Sequence, residues 1–319
     1  MSIEAVRSRT TWAQLPDGVR ALVSERTGPV VTATSHEGGY SPGMAATLVT
    51  EGGDRVFVKV ASRVQNEFSA ELYRREAAVN EALRPVAGQL PAPAFRWSAE
   101  LETGGNTWVM LAFDAADGPG PGIPWQPGDL AEALDLVAAV GRVAAPEDPA
   151  IESISALEFG EWAALELAPA SLLDSVGEAA GWLAPRLEQL AGLAAQWPEA
   201  TEGTALVHHD LRADNMVRSG GRLLAVDWPY ASRGVPWLDL LGMLPSVALE
   251  GGGEPEELFT GRPVGAAADP GAVTVAVAAL TGMFLHRSLQ PPPAGIPHLR
   301  GFQRDQGLVG VRWLQERLR

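Results

Sequence analysis

The sequence predicts an α+β fold of two lobes, a small β-rich lobe over residues 1–113 and a larger, mainly helical lobe over 114–319. Three observations predict it. The first third alternates short β-rich runs with Gly turns and holds one strong helix pattern. A Gly/Pro-rich stretch, "DAADGPGPGIPWQPGD", follows at 114–129. Beyond it, helical spacing of apolar residues dominates.

The elements follow in order. "PVVTATSH" and "MAATLVT" read as strands separated by "EGGYSPG", and the turn "EGGD" leads into a third, "RVFVKV". "NEFSAELYRREAAVNEAL" (66–83) is rich in strong helix formers at helical spacing. "LPAPAF" ends it, and "FRWSAE" and "NTWVMLAF" give two more strands, so the order is β-β-β-α-β-β. Helices are expected at about 129–144, 160–168, 178–196, 236–247, 269–287 and 298–317. Two short strands, "NMVRS" and "RLLAV", flank Gly220-Gly221 as a hairpin. "LEGGGEPEELFTGRPVG" reads as an acidic loop and "QPPPAGIP" as a stiff linker.

Composition excludes several function classes. The 319 residues carry 24 basic and 39 acidic side chains, a formal charge of −15, which argues against a nucleic-acid binder. The same charge suits a cationic small molecule, or serves solubility alone. With no cysteine, disulfides and Cys-ligated zinc are excluded. The first 18 residues have no apolar core of a secretory signal, and the most apolar run, Ala272 to Leu285, is short for a membrane span. The expectation is a cytoplasmic protein, monomer or dimer, with no membrane partner.

The densest chemistry lies between Ala205 and Tyr230, "ALVHHDLRADNMVRSGGRLLAVDWPY". Asn215 enters the first strand of the hairpin and Asp227 leaves the second. Folding at the Gly-Gly turn would bring these hard oxygen donors side by side, which suits Mg²⁺. Asp210 lies five residues before Asn215 in a polar loop, where a carboxylate could accept a proton. Each alone is more commonly a solvated turn former; the joint spacing is far more specific.

"HHDLRADN" (208–215) matches the HxDxxxxN loop of the protein-kinase-like fold. "VDWP" (226–229) is similar to the Asp-Trp form of the second metal motif in aminoglycoside phosphotransferases, and "GVPWLDL" (234–240) resembles that family's G-x-P-x-x-D-L segment. The resemblance runs from about residue 28 to 245. It implies a protein-kinase-like fold, Asp210 as catalytic base, and Asn215 and Asp227 as Mg²⁺ ligands. It makes His208 a packing residue and Asp239 a brace of the catalytic loop through backbone hydrogen bonds. His209 sits where many relatives have glycine, and a side chain there could touch substrate. Arg212 and Asp214 take no assigned role.

On the nucleotide side, Lys59 is the lone charge in "VFVKV" (56–60), and burying it demands an anionic partner. The resemblance implies that Lys59 holds nucleotide phosphates and pairs with a helix glutamate, Glu76 first and Glu71 or Glu81 otherwise. It places the segment 37–44, with Gly39 and Gly43, over the phosphates, although no G-x-G-x-x-G is present. It places the interlobe hinge near Leu111 to Phe113, with backbone at Ala112 meeting the adenine edge and Met110 or Phe113 lining its pocket. Asp114 would begin the substrate cleft or cap a turn.

No A-P-E-like motif follows Asp227, so a small-molecule acceptor is expected rather than a protein. Glu158, Glu161, Glu166, Trp125 and Trp162 are the acidic and aromatic residues expected near it, Glu161 and Trp162 foremost. The reading is a small-molecule kinase that transfers the γ-phosphoryl group of ATP, or GTP, to a hydroxyl of an aminoglycoside or other amine-bearing antibiotic. The alternatives are a kinase of an amino sugar, amino alcohol or sugar derivative, and a catalytically silent nucleotide-binding protein. Silence is disfavoured by the presence of Lys59, Asp210, Asn215 and Asp227 together.

Overall fold

The computed structural model describes residues 9–36, 43–293 and 297–319. The chain forms two compact units: Met1–Gly120 with Met216–Tyr230, and Pro121–Asn215 with Ala231–Arg319.

The first unit is built on a five-stranded antiparallel sheet of β1 (Val30–Ser35), β2 (Met44–Thr50), β3 (Arg55–Ser62), β4 (Phe95–Thr103) and β5 (Asn106–Asp114), in the order β1-β2-β3-β5-β4. Strand alternation gives the sheet two distinct faces. Val56, Val58, Val60, Met110 and Ala112 pack with Leu15, Val19 and Val23 on one face. The last two of these belong to α1 (Asp17–Thr27), a helix the sequence reading overlooked. On the opposite face Ala61, Val109, Leu111 and Phe113 pack with Ala70 and Tyr73 of α2 (Glu67–Ala82). The start of α2 is fixed by Asn66, whose side chain accepts the Ser69 N–H at 2.8 Å.

The hairpin of β7 (Met216–Ser219) and β8 (Arg222–Ala225) belongs to this unit. Gly220 and Gly221 form its turn with φ of 56° and 76°, the paired left-handed geometry that glycine permits. The Ala225 N–H donates to the Pro91 carbonyl at 2.7 Å, and the Gly118 N–H donates to Arg218 at 3.0 Å.

The second unit is mainly helical. Its helices are α3 (Pro127–Val140), α4 (Glu161–Leu167), α5 (Pro169–Ser175), α6 (Ala180–Leu183), α7 (Leu187–Ala194), α8 (Trp197–Thr201), α9 (Leu238–Leu249), α10 (Pro255–Thr260), α11 (Pro263–Ala266), α12 (Pro270–Ser288) and α13 (Leu299–Arg317). The strands β6 (Ala205–Val207) and β9 (Ser232–Gly234) form a two-stranded ladder, and the segment from His208 to Asn215 lies between them in sequence. Helix α12 packs against α4, α7, α8, α9 and α13, which explains its nearly all-round apolar sequence.

Two expectations are corrected here. The helix expected at 178–196 is broken into short pieces, because Pro185 offers no N–H to continue it. The acidic stretch at 249–265 is not all loop: α10 and α11 each start at a proline, where the missing N–H costs nothing. Glu256 of α10 is held by Arg317 at 2.6 Å and by the Trp313 indole, both from α13.

Close approach of α13 to α12 depends on glycine. A Cβ at Gly310 would lie 2.2 Å from Thr281 Oγ1, and Thr281 is buried and donates to the Val277 carbonyl at 2.6 Å. In an exposed helix Gly→Ala stabilises by up to about 1 kcal/mol. Gly310→Ala is expected to do the reverse and lower stability by about 1–3 kcal/mol through overpacking. Urea denaturation checks this, and an unchanged or raised midpoint would contradict it.

Candidate functional site

Lys59 is the centre of the first unit's polar chemistry. It stands on the α2 face of β3, and its Nζ donates to the two carboxylate oxygens of Glu76 at 2.8 and 3.0 Å. It also pairs with Asp227. The rings of Tyr73 and Phe113 each lie with their centres 5.7 Å from Nζ. Burial alone would lower the lysine pKa, but the charges of Asp227 and Glu76 outweigh it and hold the pKa above its ordinary value. Burial raises the Glu76 pKa, the Asp227 charge adds to this, and Lys59 opposes it. Glu71 and Glu81 are not partners of Lys59: they pair with Arg74 and Arg84.

Asp227 has φ of 66°, an unusual conformation for a non-glycine residue that surrounding structure must hold. Its side chain remains 44% exposed. Trp228 is buried, and its indole donates to the Ala225 carbonyl at 3.1 Å.

In the second unit the loop after β6 is organised by Asp239, in the first turn of α9. This buried carboxylate accepts the His208 and His209 N–H groups, each at 2.7 Å. His209 has φ of 71°, the left-handed region that glycine favours. The Asp210 N–H donates to His208 Nδ1 at 3.3 Å. The Asn215 amide nitrogen donates to the Asp210 carbonyl at 2.7 Å and to its Oδ2 at 3.1 Å. Asn215 Oδ1 is therefore the atom chemically suited to a cation. Arg212 lies 3.6 Å from Asp210 and 2.7 Å from Asp214. Its guanidinium is 5.8 Å from the centre of the Phe302 ring.

These groups fit phosphate and a hard cation. Lys59 is a cation kept charged in an apolar setting, and Asp227 and Asn215 offer the oxygen donors that Mg²⁺ takes. They stand in different units: Asp227 with Lys59 and Glu76, Asn215 with Asp210. Among the described residues no group of three His, Cys, Asp or Glu side chains forms a metal centre.

A sequence profile described as the Phosphotransferase enzyme family matches residues 32–270. The chain belongs to that family. No curated protein sequence matches it significantly. Solved structures share the fold of this phosphotransferase. A thermostable mutant of the aminoglycoside phosphotransferase APH(4)-Ia, in ternary complex with AMP-PNP and hygromycin B, aligns with TM-score 0.60 and 16% identity over 93% of this chain and 98% of that one. Choline kinase LicA from Streptococcus pneumoniae aligns with TM-score 0.53 and 15% identity over 93% and 100%. Macrolide 2′-phosphotransferase MphH from Brachybacterium faecium aligns with TM-score 0.53 and 18% identity over 91% and 98%. At these identities the likeness shows the protein-kinase-like fold.

Several residues expected at the site of this phosphotransferase lie elsewhere. Met110 and Ala112 face the α1 side of the sheet, opposite Lys59, and are fully buried. The backbone around Ala112 is paired with Val58 on one side and Trp97 on the other, so it is sheet interior and not a hinge. The cause is that β5 is a central strand, which the apolar sequence alone does not reveal. Phe113 stays on the Lys59 face. Asp114 pairs with Arg96 at 2.7 Å. Gly43 is needed for packing, because a Cβ there would meet the Val60 carbonyl oxygen at 2.2 Å. Gly39 lies outside the described residues.

Trp162 is a core residue and not an acceptor contact. It is 1% exposed, lies against Gly282 of α12, and donates its indole N–H to the Ala278 carbonyl at 2.7 Å. Trp125 is likewise buried and donates to Glu250 at 2.9 Å. Glu161 is half-buried, with Oε2 enclosed and without a hydrogen-bond partner. Glu250 was missed in the sequence. Burial raises its pKa, Asp214 adds to the shift, and Trp125 and Arg212 oppose it. No motif marks it, since only the fold carries the end of α9 to the Trp125 indole.

Burial pushes the Asp239 pKa up to about 6, against the two backbone hydrogen bonds, with the Asp210 charge adding to the rise. A raised carboxylate pKa means the folded state binds more protons than the unfolded one between about pH 4 and 6, so this group's contribution to stability falls as pH rises through that window. Asp239→Asn removes the titration. Wild-type stability is therefore expected to drop relative to Asp239→Asn between pH 4 and 6, as followed by denaturation at each pH. A parallel pair of pH profiles would contradict it.

Proposed function

We propose that this phosphotransferase is a small-molecule kinase, moving the γ-phosphoryl group of ATP to a hydroxyl group. One observation carries the reading. Asp239 holds the His208 and His209 backbone, and Asn215 in turn holds the Asp210 carboxylate. A carboxylate held in this way suits the role of proton acceptor. In the reaction the acceptor O–H bond breaks and its proton passes to Asp210. The freed oxygen takes the phosphoryl group, and the bond to the departing diphosphate breaks. Lys59, kept in place by Glu76, offers its ammonium group to the nucleotide phosphates. Asn215 Oδ1 and the Asp227 carboxylate would hold Mg²⁺, which supplies charge neutralisation to the phosphates. The nucleotides named with similar folds are ADP and AMP-PNP, and one is accompanied by Ca²⁺. This favours ATP over GTP.

For the acceptor we favour an amine-bearing compound, with aminoglycoside-type antibiotics first and amino-alcohol or amino-sugar metabolites second. Support comes from the formal charge of −15 and from neighbours solved with hygromycin B or known as choline kinase. The macrolide and amicoumacin kinases among similar folds keep other antibiotics within the same class.

Asp210→Ala is expected to lower kcat by roughly 10²–10⁴-fold, the usual cost of a lost general base, with nucleotide affinity little changed. Steady-state kinetics with a phosphorylated product read by mass spectrometry decide it, and near-wild-type turnover would refute the assignment. A cationic acceptor should lose kcat/KM as salt rises, because exposed charge attraction is screened over about 8–10 Å at physiological salt. The matched comparison uses cationic, neutral and anionic hydroxyl compounds. A preference for the neutral or anionic members would overturn the cationic acceptor and leave the kinase reading standing.

A further inference from the structure

The segment from Asp227 to Tyr230 poses a physical question. Asp227 holds a left-handed φ of 66° without being glycine, and a conformation of that kind persists only where neighbours over-determine it. Lys59 restrains its carboxylate, but a single flexible lysine does not fix a backbone. The next residues carry further restraints, and both come from consecutive positions on α2. The Trp228 N–H donates to the Glu76 carboxylate. The Arg75 guanidinium lies over the Tyr230 ring, 5.6 Å from its centre. Trp228 itself is buried with its indole on the Ala225 carbonyl.

We infer that Arg75 and Tyr230 are positioning residues: their stack is the outer latch that holds the 227–230 segment on α2 and so presents Asp227 for a divalent cation. The inference rests on the kinase reading given above. Glu76 has two tasks, fixing Lys59 and the Trp228 backbone, so it cannot report on the latch alone. Arg75 and Tyr230 are not among the proposed ligands, so they can be varied while Lys59, Glu76, Asn215 and Asp227 stay in place. Arg75 is exposed and Tyr230 is half-buried, which leaves the stack outside the core packing.

A cation–π contact near the surface corresponds to about two- to fivefold in an equilibrium constant. Charge gives a discriminating sign. If Arg75 acted only through its charge, its removal would strengthen cation binding at Asp227, whereas loss of a latch weakens it. Tyr230→Leu removes the ring with no change of charge, and Tyr230→Phe keeps the ring.

The experiment uses the full chain in two measurements. Calorimetric titration of Mg²⁺ with AMP-PNP gives the half-saturating Mg²⁺ concentration, and amide hydrogen exchange follows residues 226–231 in the ligand-free protein. Tyr230→Leu and Arg75→Gln should each raise the half-saturating Mg²⁺ about two- to fivefold and speed exchange in that segment. Tyr230→Phe and Arg75→Lys should stay near wild type, and the double variant Arg75→Gln/Tyr230→Leu should be no worse than either single change. Unchanged exchange in Tyr230→Leu overturns the latch. Faster exchange with unchanged Mg²⁺ dependence overturns its positioning role. Tighter Mg²⁺ binding in Arg75→Gln assigns that residue to charge alone and also overturns it. Absence of metal-dependent nucleotide binding in the wild type is a separate outcome that removes the kinase reading, and the positioning role with it.

Discussion

A lysine buried in an apolar strand is the constraint on which the first unit depends. The charge at Lys59 cannot be left unpaired away from water, and losing one partner of a buried pair costs on the order of 3–5 kcal/mol. Glu76 and Asp227 both answer it. Because they come from α2 and from the end of the hairpin, one buried charge fixes the relation of strand, helix and hairpin. The aromatic rings of Tyr73 and Phe113 complete its surroundings.

The second unit meets a similar demand with the opposite sign. Asp239 is a buried carboxylate whose cost is offset by two backbone N–H groups of the loop that carries Asp210. In return the loop is held in a shape with His209 at positive φ. Asn215 then fixes the Asp210 side chain. Each unit thus spends a buried ionisable group on positioning a half-exposed carboxylate, Asp227 in one and Asp210 in the other. Half-exposure is what the proposed roles require, since a carboxylate sealed in the core could meet neither a cation nor a substrate proton.

The acidic character of the chain is dispersed over these tasks. Glu256 ties α10 to α13, Glu76 serves Lys59, and Glu250 accepts from Trp125. Tryptophans that look available in sequence are consumed by packing and by their own N–H groups: Trp162, Trp197 and Trp228 each donate to a backbone carbonyl. Composition alone therefore overstates how many aromatic and acidic side chains remain for an acceptor.

The sequence by itself determined the β-β-β-α-β-β order that follows α1 in the first unit, the hairpin at Gly220-Gly221, and the spacing that marks Lys59, Asp210, Asn215, Asp227 and Asp239. These are local signals: alternation, helical period, turn residues and a short polar motif. It also singled out Glu76 among three candidate glutamates, although only by resemblance. What tertiary structure decided was which face and which partner each side chain received. Met110 and Ala112 lie on the face opposite Lys59 because β5 pairs with β3 in the register that sets Leu111 beside Lys59, and that register is a long-range property. Trp162 is core because α12 comes to it at Gly282, over a hundred residues away in the chain. Helix α1 escaped notice because its apolar face is narrow, only Val19 and Val23 being fully buried. The pairing of Arg75 with Tyr230 has no sequence signal, since an exposed arginine on a helix is ordinary until the fold sets a ring beneath it.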